Sequence, residues 1–451
     1  MTHISPQLLK SIKLVVGETG IIEDSARGEG AIVRPSSTEE VSRVLKLCND
    51  AEQTVVPMGG NTTMVRGTLR VRGEIALSLE RMNAIEEIDT QSRTMTVQAG
   101  AILQTVQETA EKSGFLYPVD LGGRGSATIG GNISTNAGGN RVIRYGMTRD
   151  QILAVEVVLA DGTVLPPQGK AIKNNTGYDL KHLFISGEGT LGIVTKAILR
   201  LRTLPKSQCC AWVSVPNFSA LTQFLSFMEG ACEGMLSSFE VMWADYYEFI
   251  TGDTTPHKPP VAYGEPFTVL VEAQGMQPEE NQIRFEEILS EALESELISD
   301  AVIAKNETER LALWAIRDDV MQQQQFMPMW AFDIAVGIND MEDYINTLKS
   351  ELSKLWPDYT CFSYGHLGDG NLHLMIAVGD GSDETHHSIE EIVFRGIRDR
   401  NGSVSAEHGI GFDKTQWLSY TRSADEISLM KNIKQVFDPK GILNPGKIFE
   451  I

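Results

Sequence analysis

The chain has 451 residues, enough for two or three hydrophobic cores, because a single core rarely grows beyond about 250–300 residues. Its hydrophobic content of 42% is ordinary for a globular protein, and 60 acidic against 39 basic residues give a formal charge of −21. That charge repels phosphate backbones and anionic lipid surfaces, which argues against nucleic-acid binding. It also predicts that an anionic substrate would need positive charge concentrated at its site.

Targeting and cysteine signals are weak. The N-terminus has no apolar run long enough for a secretion signal, and no window approaches the roughly 20 apolar residues of a membrane span. We therefore expect a cytoplasmic protein without a membrane span. The cysteines are odd in number and lack C-x-x-C spacing, which argues against a disulfide framework or an iron–sulfur cluster. We expect reduced, mostly buried thiols at Cys48, Cys209, Cys210, Cys232 and Cys361.

The first hundred residues alternate short β-type runs with helical periodicity. A capping box at Ser37–Glu40 predicts a helix that continues to Ala51. The run TMTVQAG predicts a strand, and a helix is expected from Ala101 to Gly114, a glycine suited to the position after a helix. Asp161-Gly162 within VEVVLADGTVLP predicts a hairpin.

The character of the sequence changes near residue 204. Before that point glycine clusters in long loops, whereas afterwards strand-like runs such as FTVLVEAQG, AFDIAVGI and LHLMIAV alternate with long polar helices. The change predicts a domain boundary there.

Two glycine-rich segments, 57–67 and 121–140, need an explanation. Glycine interleaved with Ser, Thr and Asn lets backbone N–H groups converge on an anion such as a pyrophosphate. A flexible linker is the alternative. The spacing of four between Ile129, Ile133 and Ala137 favours an ordered segment instead.

The segment Gly187–Gly192 matches G-x-G-x-x-G, the pattern of nicotinamide dinucleotide sites. That site requires a helix after the motif and an acidic residue about 20 positions later. Here the following IVTKAILRLR is strand-like, and no Asp or Glu occurs between Glu188 and Glu229. The sequence therefore argues against NAD binding.

The strings GGNISTNAGGNRVIRYGMTRD, VEVVLADGTVL, NNTGYDLKHLF and GEGTLGIVT resemble one flavoprotein superfamily. It is the vanillyl-alcohol oxidase / p-cresol methylhydroxylase (PCMH) superfamily, in its D-lactate and D-2-hydroxyglutarate dehydrogenase branch. The resemblance runs from about residue 30 to the C-terminal DPKGILNPGK. It implies an α+β fold with a two-subdomain PCMH-type FAD-binding domain at 1–204. An α+β substrate cap with an antiparallel sheet follows at 205–420, and a segment at 421–451 packs back on the FAD domain.

The resemblance also implies which residues bind FAD. The first two loops would hold the pyrophosphate and approach the isoalloxazine, a later loop would line the adenine-ribose side, and the C-terminal segment would return to the flavin. Relatives with covalent flavin often carry histidine where this chain has Asn61, so we expect noncovalent FAD. The FAD-binding set is Pro57, Gly59, Gly60, Asn61, Thr62, Asp120, Ser126, Gly130, Gly131, Asn132, Thr135, Asn136, Gly139, Glu188, Gly192, Val194 and Asn444.

Histidines cluster in GHLGDGNLH (365–373) and AEHG (406–409). On a strand from residue 372 to 378, His373 would share one face with Met375, and His366 would approach from a flexible loop. Two imidazoles and the carboxylate of Glu407 suit a catalytic zinc. Satisfied structural histidines are the alternative. The resemblance favours metal ligation by His366, His373 and Glu407, with manganese or iron as other candidate metals and Asp369 and Asn371 as turn or supporting residues.

The expected chemistry is oxidation of a D-2-hydroxy acid to the 2-keto acid. A cation chelated by the hydroxyl and carboxylate lowers the pKa of the alcohol, so a base such as His408 can remove its proton while hydride passes to flavin N5. The resemblance assigns Arg317, in LWAIR, to the substrate carboxylate, on a helical face shared with Leu313 and Met321. A surface ion pair of Arg317 with Glu309 or Asp318 is the alternative.

Substrate choice is where the sequence departs from its relatives. Relatives specific for D-2-hydroxyglutarate carry threonine, lysine and asparagine where this chain has Met321, Ala331 and Met375. The loss of these polar groups predicts a preference for D-lactate or a longer apolar D-2-hydroxy acid, with D-2-hydroxyglutarate left open as a substrate. A glycolate oxidase catalytic subunit and a non-catalytic flavin-binding electron-transfer subunit are the alternatives. The electron acceptor stays open among an electron-transfer flavoprotein, a quinone and a cytochrome, and a homodimer is a candidate assembly.

Overall fold

The computed structural model describes residues 4–24, 30–71 and 73–450. The helices are α1 Pro6–Val16, α2 Thr38–Asp50, α3 Leu103–Lys112, α4 Ile129–Thr135, α5 Val142–Tyr145, α6 Thr148–Gln151, α7 Lys181–Phe184, α8 Phe218–Ala231, α9 Ala244–Ile250, α10 Pro278–Glu294, α11 Glu307–Asp318, α12 Ile338–Leu355, α13 Asp383–Arg398 and α14 Ala424–Phe437. Short 3₁₀ helices lie at Glu18–Gly20, Val320–Phe326, Leu367–Asp369 and Thr415–Tyr420.

The strands are β1 Ile21–Asp24, β2 Gly30–Val33, β3 Val55–Met58, β4 Ile75–Ser78, β5 Ile85–Asp89, β6 Thr94–Gln98, β7 Phe115–Leu116, β8 Ile152–Val158, β9 Val164–Leu165, β10 Ile193–Arg200, β11 Arg202–Thr203, β12 Ser207–Val215, β13 Leu236–Trp243, β14 Phe267–Gly275, β15 Asp300–Ile303, β16 Trp330–Ala335, β17 Thr360–His366 and β18 Asn371–Ala377.

The chain divides into two compact units. The first comprises the described parts of Met1–Gly139, Gly146–Leu204 and Glu407–Ile451, and the second comprises Asn140–Tyr145 and Pro205–Ala406. One division falls between Leu204 and Pro205, next to the boundary that the change in composition indicates. The C-terminal segment joins the first unit from Glu407, fourteen residues earlier than the expected 421. Sequence composition does not mark that earlier point, because glycine and polar residues continue across it.

The first unit contains two main sheets. One has the order β1-β2-β4-β3, with β4 parallel to both β2 and β3. The other is antiparallel, in the order β5-β6-β10-β8-β9. Helix α2 begins as predicted, with the Ser37 hydroxyl accepting from the Glu40 N–H. In a capping box the Glu40 carboxylate would accept in return from the N–H of Ser37. Here it accepts from the N–H of Ser36 instead.

The local turn predictions for this unit are confirmed. Helix α3 is followed by Gly114 at φ 82°, and β8 and β9 form the predicted hairpin, with Gly162 at φ 88°. The G-x-G-x-x-G segment leads into the strand β10 rather than into a helix. This geometry excludes the nicotinamide-type motif at Gly187–Gly192.

The second unit is built on a seven-stranded antiparallel sheet of order β15-β12-β14-β13-β17-β18-β16. The central strands β13 and β14 are buried along their whole lengths. One face is covered by aromatic side chains that pack together from α9, β17 and α11, and this cluster includes Tyr246, Phe362 and Tyr364. The result is a rigid platform on which polar side chains can be held in fixed positions.

Two sequence expectations for the second unit are wrong. His366 does not lie in a flexible loop, because it is the last residue of β17 and pairs with Asn371 of β18. The connection between them is a tight turn that ends at Gly370, φ 78°. Helix α11 ends at Asp318, so the helical face of Arg317 does not extend to Met321. A 3₁₀ helix takes over there, and the Met321 side chain lies outside the described residues.

In the described ranges, 4–24, 30–71 and 73–450, no helix is long and apolar enough to cross a bilayer. The expectation for the thiols is confirmed, since all five cysteines are free and buried.

Candidate functional site

The glycine-rich segments of the first unit approach one another closely at their backbones. A Cβ atom on Gly60 would lie 1.9 Å from the carbonyl oxygen of Ser126, and one on Gly139 would lie 1.9 Å from that of Asp120. A Cβ atom on Gly130 would lie 2.8 Å from a neighbouring side chain. Because no L side chain fits at these places, glycine is required where the loops meet.

Helix α4 carries the second glycine segment. Its N-cap is Thr128, whose hydroxyl accepts from the N–H of Gly131, and its C-cap is Asn136 in the left-handed region, φ 51°. Ile129 and Ile133 are fully buried, which confirms that this segment is ordered rather than a linker. The Thr135 hydroxyl donates to the helix backbone.

The remaining residues predicted for FAD are also in this unit. Pro57 lies close to Gly189, because a Cβ atom added to Gly189 would be 2.5 Å from the proline ring. A Cβ atom added to Gly192 would lie 2.6 Å from the side chain of Val157, the strand partner of Val194. Asn61 adopts φ 57°, and its amide oxygen accepts from a neighbouring threonine. A Cβ on Gly59 would lie 2.7 Å from Thr128 Oγ1, and one on Gly123 would lie 3.1 Å from the Thr62 side chain.

Glu188 connects this loop to the returning C-terminal segment. Its carboxylate accepts from the N–H groups of Ile410 and Gly411, both at 2.8 Å, and its backbone carbonyl accepts from the Asn444 side chain at 2.7 Å. Burial raises the pKa of Glu188. A Cβ on Gly409 would lie 2.7 Å from its carboxylate. Glu188 therefore fixes the loop after His408.

Two polar atoms in this region bear on whether FAD fits. Among the described residues, Asn132 Nδ2 and Asn444 Oδ1 are buried without a hydrogen-bond partner. Buried polar groups are normally satisfied, so an unsatisfied donor and an unsatisfied acceptor among glycine loops suit a polar ring or phosphate group. The residues present thus fit a flavin dinucleotide.

Replacing Gly60 by alanine is expected to abolish retention of FAD. The added methyl would displace the Ser126 carbonyl and open the first loop. The measurement is the flavin-to-protein absorbance ratio after gel filtration. Gly122→Ala is the control, since a Cβ there meets nothing within 4 Å, and it should keep the flavin. Full flavin content in Gly60→Ala would contradict the assignment of this loop.

The imidazole cluster of the second unit consists of His366 and His373. Their Nε2 atoms lie 3.3 Å apart, and the rings meet edge to face. The Nδ1 atom of His366 lies 2.8 Å from Glu240 Oε1, and that of His373 lies 3.9 Å from Asp333 Oδ1. Imidazoles that bind a metal are usually oriented by carboxylates at the opposite nitrogen. His366 has that arrangement, whereas the Asp333 carboxylate stands further off, 3.9 Å from the corresponding nitrogen of His373.

Glu240 also pairs with Arg317. Its Oε2 atom accepts a hydrogen bond from Nε at 3.0 Å and lies 2.9 Å from Nη2 in the same ion pair, and the two side chains are almost completely buried. Burial alone would raise the pKa of Glu240, but the adjacent His366 and Arg317 hold it below its usual value. Arg317 is therefore not a surface residue paired with Glu309 or Asp318, which excludes that alternative. Its guanidinium also lies over the Tyr364 ring, 5.0 Å from the centroid.

Asn371 supports the second carboxylate. Its side-chain amide donates to Asp333 Oδ1 and to a backbone carbonyl, both at 2.9 Å. Asp369 accepts from the Asn371 N–H at 3.1 Å, and burial raises the pKa of Asp369. In the structure Asp369 shapes the turn through the Asn371 N–H, and Asn371 holds Asp333.

Strand pairing aligns apolar residues beside the cluster. Asp333 is directly opposite His373, and Ala331 is directly opposite Met375, one pair further along the same face. Phe362 pairs with Met375 on the other side. The alternation predicted for β18 is confirmed, since Leu372, Leu374 and Ile376 are fully buried on its other face. The face with the imidazoles is therefore polar at one end and apolar at the other.

Glu407 and His408 are the first residues of the returning segment in the first unit. Thr63 Oγ1 donates to the His408 carbonyl at 3.0 Å, and Gly409 follows at φ 83°. The two residues stand directly after Ala406, the last residue of the second unit.

Sequence reasoning missed Glu240 and Asp333. Each is the lone charged residue of its strand, LSSFEVMW or WAFDIA. A buried carboxylate needs cationic or N–H partners, so such an acid is itself a signal of a polar site.

Comparisons with known proteins identify the class. The FAD binding domain model matches residues 30–166, and the model of the C-terminal domain of FAD linked oxidases matches residues 204–448. The p-cresol methylhydroxylase structure with substrate bound superposes at a TM-score of 0.78 and 14% identity, covering 98% of this chain and 96% of that one. The fold is therefore that of PCMH-type flavoproteins, and the protein is an FAD-dependent oxidoreductase.

Sequence relatives narrow the class. A mitochondrial D-2-hydroxyglutarate dehydrogenase of Arabidopsis thaliana is 35% identical, over 97% of this chain and 80% of that protein. A putative mitochondrial D-lactate dehydrogenase of Schizosaccharomyces pombe is also 35% identical, over 92% of this chain and 81% of that protein. The chain belongs to the family of FAD-linked D-2-hydroxy acid dehydrogenases.

Proposed function

We propose that the protein oxidises a D-2-hydroxy carboxylate to the 2-keto acid, with noncovalent FAD and a divalent cation, zinc, held by His366, His373 and Glu407. The observation that carries the proposal is the convergence of two imidazole nitrogens at 3.3 Å, with a carboxylate oxygen 2.8 Å from the other nitrogen of His366 and one 3.9 Å from that of His373. Manganese and iron are the other candidate metals. The names of the relatives support the substrate class.

The electrostatics of the imidazole cluster favour a cation. The Glu240 carboxylate is ionised because it is paired with the charged Arg317 guanidinium, and an ionised carboxylate can only accept hydrogen bonds. His366 must therefore be the donor in its contact with Glu240, so its Nδ1 carries the proton. If Asp333 orients His373 in the same way, the lone pairs of the two Nε2 atoms face each other at 3.3 Å, and a bound cation would relieve their repulsion. Within this unit one guanidinium, that of Arg317, lies near three carboxyl groups, those of Glu240, Asp333 and Asp369. A bound cation would therefore favour binding of an anionic substrate.

The residues of the chain would then have separate roles in the reaction. Bound FAD supplies the hydride acceptor at N5, and a bound cation polarises the C2 hydroxyl. Arg317, through the nitrogen not used by Glu240, would hold the substrate carboxylate. The imidazole of His408 would accept the hydroxyl proton. Glu240 and Asp333 would keep the imidazoles oriented.

The preferred substrate is proposed to be D-lactate or a longer apolar D-2-hydroxy acid. The Ala331–Met375 pair lies directly beside the Asp333–His373 pair, and Phe362 flanks it. An apolar side chain on C3 would contact this end of the cluster favourably, whereas a second carboxylate would lose its hydration there without a partner.

The double variant Ala331→Lys, Met375→Asn is expected to shift specificity toward D-2-hydroxyglutarate. One hydrogen bond to a charged group contributes about 1.5–3 kcal/mol, so kcat/KM for that substrate relative to D-lactate should rise at least about tenfold. Ala331→Met adds bulk without charge and should not raise activity toward D-2-hydroxyglutarate. If the wild-type protein already uses D-2-hydroxyglutarate clearly best, the proposed preference is wrong.

A panel of D- and L-2-hydroxy acids, mixed anaerobically with the holoenzyme, tests the function itself. Bleaching of the flavin by D-lactate and longer D-2-hydroxy acids, and not by their L-enantiomers, is the expected result. Bleaching by glycolate alone would favour a glycolate oxidase catalytic subunit. No bleaching by any 2-hydroxy acid would favour an electron-transfer subunit and refute the proposal.

The acceptor and the assembly belong to the same proposal. An electron-transfer flavoprotein, a quinone or a cytochrome would reoxidise the flavin, and a homodimer is the proposed assembly. A cytoplasmic location stays a prediction, since relatives such as the Arabidopsis protein are named mitochondrial.

A further inference from the structure

Glu240 is a single buried carboxylate shared by two functional side chains. It is 1% exposed, and its two oxygens have separate partners: Oε1 faces His366 Nδ1 at 2.8 Å, and Oε2 binds Arg317. These partners come from different elements, the end of β17 and the last turn of α11. One carboxylate therefore fixes both relative to the same strand, β13.

The contact with His366 determines which ring nitrogen is available. Because Oε1 can only accept, the proton of the neutral ring stays on Nδ1, and Nε2 keeps its lone pair on the side of His373. An amide at position 240 could donate instead, which would favour the tautomer with a proton on Nε2. That tautomer cannot ligate a metal through Nε2.

The contact with Arg317 uses two of the guanidinium nitrogens. Nε and Nη2 both bind Oε2, and the Tyr364 ring lies below the group. The remaining nitrogen, Nη1, therefore has a fixed direction. A carboxylate bound there would compete with Glu240 for the same positive charge.

Glu272 provides a contrast within the same sheet. It is fully buried on the adjacent strand β14, and it accepts from Arg310 and from Trp314, both at 2.9 Å. These residues lie on the face of α11 that also carries Arg317. Glu272 thus anchors the helix without contacting an imidazole, so docking of α11 does not depend on Glu240 alone.

We propose that Glu240 is a positioning residue that couples the metal-binding imidazole of His366 to the carboxylate-binding guanidinium of Arg317. This inference rests on the proposed function. A cation bound at Nε2 of His366 would make its Nδ1–H a stronger donor and would draw the charge of Glu240 toward His366. Arg317 would then be freer to bind a substrate carboxylate, so metal binding and substrate binding would strengthen each other.

The test compares Glu240→Gln with Glu272→Gln, both as FAD-bound holoenzyme. Zinc affinity is measured by competition with a chromophoric chelator, which does not depend on turnover. Glu240→Gln is expected to bind zinc about 10–100-fold more weakly than the wild type, the usual effect of losing a partner that orients a ligand. Glu272→Gln should stay within about threefold of the wild type, because its side chain touches no ligand.

The second readout is the KM for D-lactate at saturating zinc. Glu240→Gln should change KM, since Arg317 loses its orientation, whereas Glu272→Gln should not. If Glu240→Gln fails to fold because Arg317 is left unpaired, the double variant Glu240→Gln, Arg317→Met removes the stranded charge and should still bind zinc weakly.

The outcomes separate the two proposals. A wild-type protein that binds no stoichiometric zinc, manganese or iron refutes the metal site of the proposed function. Wild-type zinc affinity in Glu240→Gln or in the double variant overturns the role of Glu240 alone. Equal weakening in Glu240→Gln and Glu272→Gln would also overturn it, because the effect would then be structural.

Discussion

Replacing His373 by alanine is expected to lower the rate of flavin reduction by the preferred 2-hydroxy acid more than about 100-fold. Loss of a residue that only orients a metal ligand costs about 10–100-fold, and loss of the ligand itself should cost more. Metal content should fall well below one per chain. FAD content should not change, because the predicted FAD-binding residues all belong to the other unit. Stopped-flow absorbance and elemental analysis measure the two quantities.

His387→Ala is the matched control for that variant. It removes an imidazole from the surface of α13, where His387 lies near Glu390. Rate and metal content should both match the wild type. A His373→Ala protein with a full metal complement and an undiminished rate would refute the imidazole site.

Replacing Arg317 by methionine is expected to have two separable effects. The first is a loss of about 3–5 kcal/mol in the free energy of unfolding, because Glu240 is left buried without its cationic partner. The second is a KM for the hydroxy acid raised about 10–100-fold, the effect of losing a hydrogen bond to a charged group. Denaturant titration and steady-state kinetics measure them.

Two further variants separate stability from substrate binding. Arg310→Met removes a partner of the buried Glu272 and should lower stability without changing KM. Arg317→Lys keeps the positive charge and should recover part of the stability, but a single ammonium cannot bond both Glu240 and a substrate carboxylate as a guanidinium can. An unchanged KM in Arg317→Met would remove Arg317 from the substrate site.

Features encoded by short stretches of sequence were predictable. The hairpin at Asp161-Gly162 depends on two turn residues, and the order of α4 depends on apolar spacing within one segment. The alternation of β18 likewise follows from consecutive residues. Each depends on neighbours in the chain, so the sequence carries the information locally.

Features that depend on strand pairing were not predictable. Glu240 meets His366 because β13 pairs with β17 across more than a hundred residues, and no local pattern encodes that register. The same holds for Asp333, which faces His373 through the pairing of β16 with β18. The end of α11 at Asp318 was missed because helical periodicity continues into the 3₁₀ segment that follows.

The burial of Arg317 excludes one of the two roles that its sequence context indicates. From sequence, the choice lay between a substrate clamp and a surface ion pair with a nearby acid. The structure instead gives it a buried carboxylate partner, Glu240, on strand β13. Since one guanidinium nitrogen lies outside that pair, the proposed contact of Arg317 with a substrate carboxylate is compatible with this partner.

Metal removal from the intact holoenzyme tests the central claim most directly. The FAD-bound protein is dialysed against a strong chelator, checked by elemental analysis, and mixed anaerobically with D-lactate before and after addition of one equivalent of zinc. We predict flavin bleaching by the untreated protein, its loss after chelation with FAD still bound, and its return with zinc. Bleaching by the metal-free protein at the original rate would contradict the account.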